Sequence, residues 1–134
     1  MNKSEFLNNI KLKFQEFEIN DLELKDNCLV IPVIDDDMPK YKIAVTFIDD
    51  EYLSIYACFK HNAVLKSEMV KLLQTINEFN NQSFLTFFVD KTFIKITYNM
   101  PELNNKDIEK VVRIISLIPN IIYEYYHDFK KFLS

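Results

Sequence analysis

Two acidic runs, two histidines, two cysteines and one tyrosine-rich segment are the residues of this chain best suited to chemistry. Asp35-Asp36-Asp37 and Asp49-Asp50-Glu51 supply the carboxylate oxygens that a hard cation takes as ligands. They flank opposite ends of one predicted strand, and about ten residues at ~3.3 Å each put roughly 30 Å between them, too far to share an ion. Neither run has the spaced ligands and the glycine of a calcium loop, so both read as solvated turns. His61 falls near the end of a predicted strand and His127 in the last predicted helix, and neither has a Cys or His at ligand spacing. Tyr123-Glu124-Tyr125-Tyr126-His127-Asp128 is dense in titratable groups, but Tyr125 and Tyr126 fall on a helical apolar stripe while His127 and Asp128 point off it. Nothing marks a nucleophile with its base. The expectation is a chain that is not an enzyme, with no metal site and no cofactor.

Glycine is absent from all 134 residues. Glycine-rich phosphate loops of the dinucleotide or Walker type are therefore excluded. Any backbone position with positive φ must be filled by Asn or Asp, the next most tolerant residues. The chain is 49% hydrophobic and 27% charged, a globular balance sized for one domain, residues 1–134, with one core. Its net charge of −4 and isoelectric point near 5.2 argue against a nucleic-acid partner, which requires basic surface. Residues 1–60 carry net −5 and residues 61–134 net +1, both read as solvated surface. Cys28 and Cys58 lie in strand-like apolar runs and read as reduced, buried thiols of a cytoplasmic protein. The first residues lack the apolar run of a signal peptide, and no stretch approaches the ~20 apolar residues of a membrane span.

The elements that must position these residues follow from periodicity. Phe6, Ile10, Phe14 and Phe17, widened by Leu7, predict a helix over Ser4–Phe17. A short edge piece at Leu22–Lys25 turns at Asp26-Asn27 into the strand Cys28–Ile34, where Pro32 predicts an edge or an end. Lys40–Ile48 and Tyr52–Lys60 form a hairpin. With a three-residue loop, Tyr41, Ile43, Val45, Phe47, Leu53, Ile55, Ala57 and Phe59 share one face, and this register separates apolar from polar best. Ser67 is the expected N-cap of a second helix with a buried stripe of Met69, Leu72, Leu73 and Ile76, ending at Asn80-Asn81 with a left-handed asparagine. The hairpin Phe84–Asp90 and Lys91–Tyr98, with Val89 opposite Thr92, puts Leu85, Phe87, Ile94 and Ile96 inside. It puts Phe84, Phe88 and Phe93 outside, with Phe88 opposite Phe93 and Thr86 opposite Lys95. A last helix over Lys106–Leu133 carries a long apolar stripe and a kink or break near Leu117–Pro119; at ~1.5 Å per residue its ~40 Å length predicts a protruding or partner-wrapping end.

The predicted class is α+β in the order α-β-β-β-α-β-β-α, an antiparallel sheet with helices packed on it. Ile76, Asn77, Phe79 and Asn80 at the end of the second helix, followed by the aromatic hairpin and a long final helix, resemble the YbjN family. That family is described as candidate bacterial sensory transduction regulators with a fold similar to type III secretion chaperones. The resemblance implies a protein that works by binding another protein, as a chaperone-like module or regulatory adaptor. For Asn77 and Asn80 a simpler role is capping the helix and tying its end to the next strand. Phe84, Phe88 and Phe93, extended by Tyr52 and Tyr56, form the candidate partner-binding surface, since contiguous exposed apolar surface marks an interface. The expected partner is a protein, a second copy included, and neither nucleic acid nor membrane. A pocket between sheet and helices that senses a small molecule is the alternative.

Overall fold

The computed structural model describes residues 2–48, 52–101 and 103–133. Helix α1 (Lys3–Glu16) starts where the Asn2 side chain accepts the Glu5 N–H, which satisfies one of the orphan donors of the first turn. It ends in a Schellman turn. Ile19 N–H reaches Phe14 O and Glu18 N–H reaches Gln15 O, with Glu18 at φ 64° where glycine is usual, which corrects the expectation that only Asn or Asp would take such a position. The other two positive-φ residues, Asp26 and Asn27, form the two-residue turn between β1 (Glu23–Lys25) and β2 (Cys28–Val33). A right-twisted hairpin wants positive φ at both turn positions, and without glycine Asp and Asn fill them.

The remaining strands are β3 (Tyr41–Ile48), β4 (Tyr52–Lys60), β5 (Thr86–Val89) and β6 (Phe93–Pro101). All six form one antiparallel sheet in the order β1-β2-β3-β4-β6-β5. Ile48 pairs with Tyr52, the register expected from face separation. The α+β class and the element order stand, with β1 as the small extra edge strand. Helices α1, α2 (Lys66–Gln82) and α3 (Ile108–Phe129) supply buried side chains to one core with the inner sheet face. Phe6, Leu7 and Ile10 of α1, Leu72, Ile76 and Phe79 of α2, and Val111, Ile115, Ile122 and Phe129 of α3 are all buried there. Rings of Phe59, Phe79 and Phe87 cluster with Tyr125 and Phe129 at centroid distances of 4.6 to 6.3 Å.

Several local expectations are corrected. Phe17 caps α1 and is 67% exposed, since the Schellman turn swings the chain away before the stripe reaches it. Leu65, not Ser67, is the N-cap of α2, and Glu68 reaches back to accept the Leu65 N–H. Leu73 lies off the stripe at 42% exposure, and Phe79 takes its place in the core. The helix runs on to Gln82 and leaves through Ser83 in an extended conformation, so no left-handed asparagine ends it. Helix α3 passes Pro119 without a break. Pro119 removes the bond to the Ile115 carbonyl, but Ile115, Ile118 and Ile122, all buried, hold both sides of it to the core. Its end does not protrude: Phe129 and Phe132 are buried, and Leu133 bridges His61 at the end of β4.

The hairpin register differs from the expected one by two residues. Val89 pairs with Ile94 and Phe88 with Lys95, not with Phe93, and Thr86 pairs with Thr97. The cause is Asp90, whose carboxylate accepts the N–H groups of Thr92 and Phe93 and folds the turn around itself. These two bonds, Phe93 first, hold the Asp90 carboxyl below its ordinary pKa. A shift of two keeps every side chain on its expected face.

Both sheet edges are blunted. Phe87 lies on edge strand β5, and its N–H and C=O are taken by the Asn80 side chain at 2.6 and 2.7 Å. The Asn80 amide thus stands where a neighbouring strand would. At the other edge β1 covers only Cys28 to Val30 of β2. In a two-residue hairpin the flanking residues bond each other, so Cys28, Val30 and, by alternation, Pro32 face that edge. Pro32 has no N–H to offer there, which is how a proline sits inside this strand.

Candidate functional site

The outer face of the sheet is set by alternation. Where Ile43, Val45, Leu53, Ile55, Ile94 and Ile96 point into the core, Lys42, Ala44, Thr46, Tyr56, Cys58, Lys60, Phe93 and Lys95 point away from it. The helices pack on the opposite side, so α3 does not cover this face. Phe88 and Phe93 are 42% and 41% exposed, and Tyr52 and Tyr56 are half-buried. Lys95 organises the centre. Its Nζ lies 4.5 Å from the Tyr56 ring centroid and 5.6 Å from that of Phe88, cation–π contacts worth about 0.5–1 kcal/mol at exposed sites. Beneath them Ser54 and Thr97, both buried, lie 3.5 Å apart oxygen to oxygen.

Of the predicted surface residues, the structure brings Tyr56, Phe88 and Phe93 to one region across β4, β6 and β5, with Tyr52 at the far end of β4 opposite Pro101. Phe84 does not join them. It lies in the bend before β5, 48% exposed, with its ring 5.3 Å from Tyr98. Tyr98 pairs with Ile55 on the core-facing alternation, so Phe84 covers the sheet beyond the end of β5 rather than extending the outer face. The turn at Ser83 diverts it: Ser83 Oγ accepts the Leu85 N–H, and strand geometry begins only at Thr86.

The residues of the helix motif divide. Ile76 and Phe79 are core. Asn80 is the clamp on Phe87, a tie rather than a cap, and Asn77 is exposed on α2. Both cysteines face outward, correcting their placement as buried: Cys58 is exposed and Cys28 half-buried. Partial burial pushes the Cys58 thiol up from its ordinary value, with the Lys95 ammonium opposing, which is not the low-pKa setting of a nucleophile.

The other chemistry-bearing residues make local contacts. His61 is buried, accepts the Ala63 N–H at Nδ1 and bonds the Asp90 carbonyl through Nε2, fastening the end of β4 to the hairpin turn. His127 is exposed with its ring 5.6 Å from that of Tyr123. Asp35 accepts the Asp37 N–H and closes its own turn. Asp49-Asp50-Glu51 lies outside the described residues. Among the described residues no group of three or more His, Cys, Asp or Glu could hold a metal ion. None of the described helices is long and apolar enough to cross a membrane.

The lysines of this face were not singled out from sequence. Their signal was present in the strand alternation, since Lys42 and Cys58 fall together outside the core, but charge summed along the chain hides charge summed over a face. A further feature lies on the other side. A cavity of about 310 Å3 opens between β2, β3, α1 and α3, lined by Phe14, Ile31, Ile43, Ile115, Ser116 and Pro119 among others.

No family profile and no curated protein sequence matches this chain. Among solved structures, the crystal structure of YbjN from E. coli, given there as a candidate transcription regulator, is similar. The match has a TM-score of 0.66 and covers 96% of this chain and 95% of that chain, at 14% sequence identity. The fold of the chain is that of YbjN, as the second helix and its following hairpin suggested.

Proposed function

We propose that this YbjN-type fold is a non-enzymatic protein-binding module of the cytoplasm, chaperone-like or a regulatory adaptor, that meets a protein partner on its outer sheet face around Tyr56, Phe88 and Phe93. The observation that carries this is the contrast between blunted edges and an open face. Asn80 takes the edge-facing N–H and C=O of Phe87 and Pro32 offers no N–H, which disfavours an added strand at those positions, whereas aromatic side chains stand exposed on the face opposite the described helices. The regulatory sense agrees with the description of the YbjN structure as a candidate transcription regulator. The test is affinity capture with wild-type chain and with Phe88→Asp. A partner retained by the first and lost by the second supports the reading, provided the variant keeps its far-UV spectrum. Unfolding by Phe88→Asp would contradict the exposed placement on which the reading stands.

The apolar cavity between sheet and helices favours a second reading, a sensor of a small apolar molecule. A rise in Tm with one member of a metabolite panel, lost in Ile115→Phe and kept in Phe88→Asp, would select it.

A further inference from the structure

Charge on this protein is segregated in a way its totals conceal. The chain carries net −4. Yet the outward positions of the strands hold Lys25, Lys42 and Lys95 against the carboxylate of Glu23, with Asp90 of the β5–β6 turn within electrostatic reach of Lys95 and Cys58 at one end of the face. A shallow depression of about 470 Å3 runs over this face between β2, β3 and β4, lined by Val30, Lys40, Lys42, Ala44, Tyr56 and Cys58. We infer that the outer face takes an extended acidic segment of a partner protein, with carboxylates meeting Lys40, Lys42 and Lys95 and apolar side chains lying against Val30, Tyr56 and Phe88. This rests on the reading of that face as the partner surface and names the chemistry the partner must have.

Three observations choose this occupant. Complementary charge draws an acidic chain to a basic face and repels a basic one. A second copy related by two-fold symmetry would set like-charged lysines against each other, so self-pairing through this face is opposed. A single-stranded nucleic acid would need ring faces for base stacking, and the Lys95 ammonium already lies over both Tyr56 and Phe88. The same ammonium, held between two rings on a half-buried side chain, is fixed in place for a carboxylate, which lowers the ordering cost of pairing with it.

The test uses the full chain with Cys28→Ala, which leaves Cys58 as the single thiol, on the depression itself. Three fluorescein-labelled probes are compared by anisotropy: a peptide of alternating glutamate and leucine, one of alternating lysine and leucine, and an oligothymidylate. Maleimide labelling of Cys58 reports whether a bound probe sits on the face. The expected result is that the acidic peptide binds tightest, slows Cys58 labelling, and weakens as salt is raised. Lys40→Glu with Lys42→Glu should weaken it by about tenfold or more, and the paired Gln variants by a few-fold. Should the Glu pair fail to fold, the Gln pair decides. Equal binding of the basic peptide, or of the acidic one to the charge-reversed chain, overturns the acidic partner; if Cys58 is still protected, the face itself stands as the docking surface. Peptide binding that leaves Cys58 labelling unchanged removes the face together with the inference. Tighter binding of the oligothymidylate overturns both in favour of a nucleic-acid platform.

Discussion

The inner and outer faces of the sheet share the same six strands, and both carry aromatic rings, but the rings have different neighbours. Inside, Phe59 and Phe87 of the sheet and Phe79 and Phe129 of the helices pack against one another, edge-on or tilted. Outside, Tyr56 and Phe88 pack against an ammonium, and Phe93 stands at the end of its strand. An aromatic buried among aromatics contributes mainly by leaving water, whereas an aromatic beside a half-buried lysine keeps much of its surface in water. The inner rings hold the fold together; the outer rings leave surface exposed to water. Strand alternation alone therefore separates the rings of the core from the rings of the open face.

That separation can be broken most sharply by truncating one ring on each side. Phe129→Ala should destabilise by about 3–5 kcal/mol in denaturant unfolding, because it empties a site bounded by three other rings. Phe88→Ala should cost under about 1 kcal/mol in the same measurement. Comparable losses would show that the outer face is part of the core. The edge clamp comes next. Asn80→Ala should cost about 1–2 kcal/mol, for two hydrogen bonds at ~1 kcal/mol each, and should speed amide exchange at Phe87 ahead of global unfolding.

The inner face carries a polar blemish. Among the described residues the buried Tyr41 hydroxyl has no hydrogen-bond partner, and burial, with the Asp35 carboxylate nearby, raises its pKa. Tyr41→Phe should therefore be neutral or stabilising, by up to about 1 kcal/mol at pH 7. The pH dependence has a definite sign. The folded phenol keeps its proton above the unfolded value near 10, so folded chains bind more protons there and stability falls as pH rises past ~10. Tyr41→Phe should flatten that alkaline limb in a series of thermal melts. The smallest effect belongs to Glu18. Glu18→Gly relieves a left-handed backbone at the end of α1 but adds freedom to the unfolded chain, leaving a net gain of a few tenths of a kcal/mol.

Sequence pattern alone carried the strand alternation, and with it the assignment of Phe88, Phe93, Tyr52 and Tyr56 to the outside. Tyr41 through Phe59 could be registered because one alignment puts Tyr41, Ile43, Val45, Phe47, Leu53, Ile55 and Phe59 together on one side. The later hairpin could not, because its alternatives differ by two residues and leave both faces unchanged; only the Asp90 carboxylate bonding to its own turn decides between them. Phe84 was misplaced for a related reason: alternation says nothing about where a strand begins, and Ser83 delays it to Thr86. Pro119 looked like a helix break because propensity sees one lost bond, not the buried isoleucines on either side. The clamp role of Asn80 was half legible, as a tie to the next strand, but its doubling as a surrogate strand depends on β5 being an edge.

The left-handed turns at Glu18, Asp26 and Asn27 have a consequence for the chain before it folds. Each puts a non-glycine residue where the backbone is strained, which on its own weakens the native state. A chain without a single glycine, however, has fewer conformations open to it when denatured, and so less entropy to surrender on collapse. The two effects oppose each other. A protein of this composition can tolerate tension at three corners because its disordered state is itself stiff.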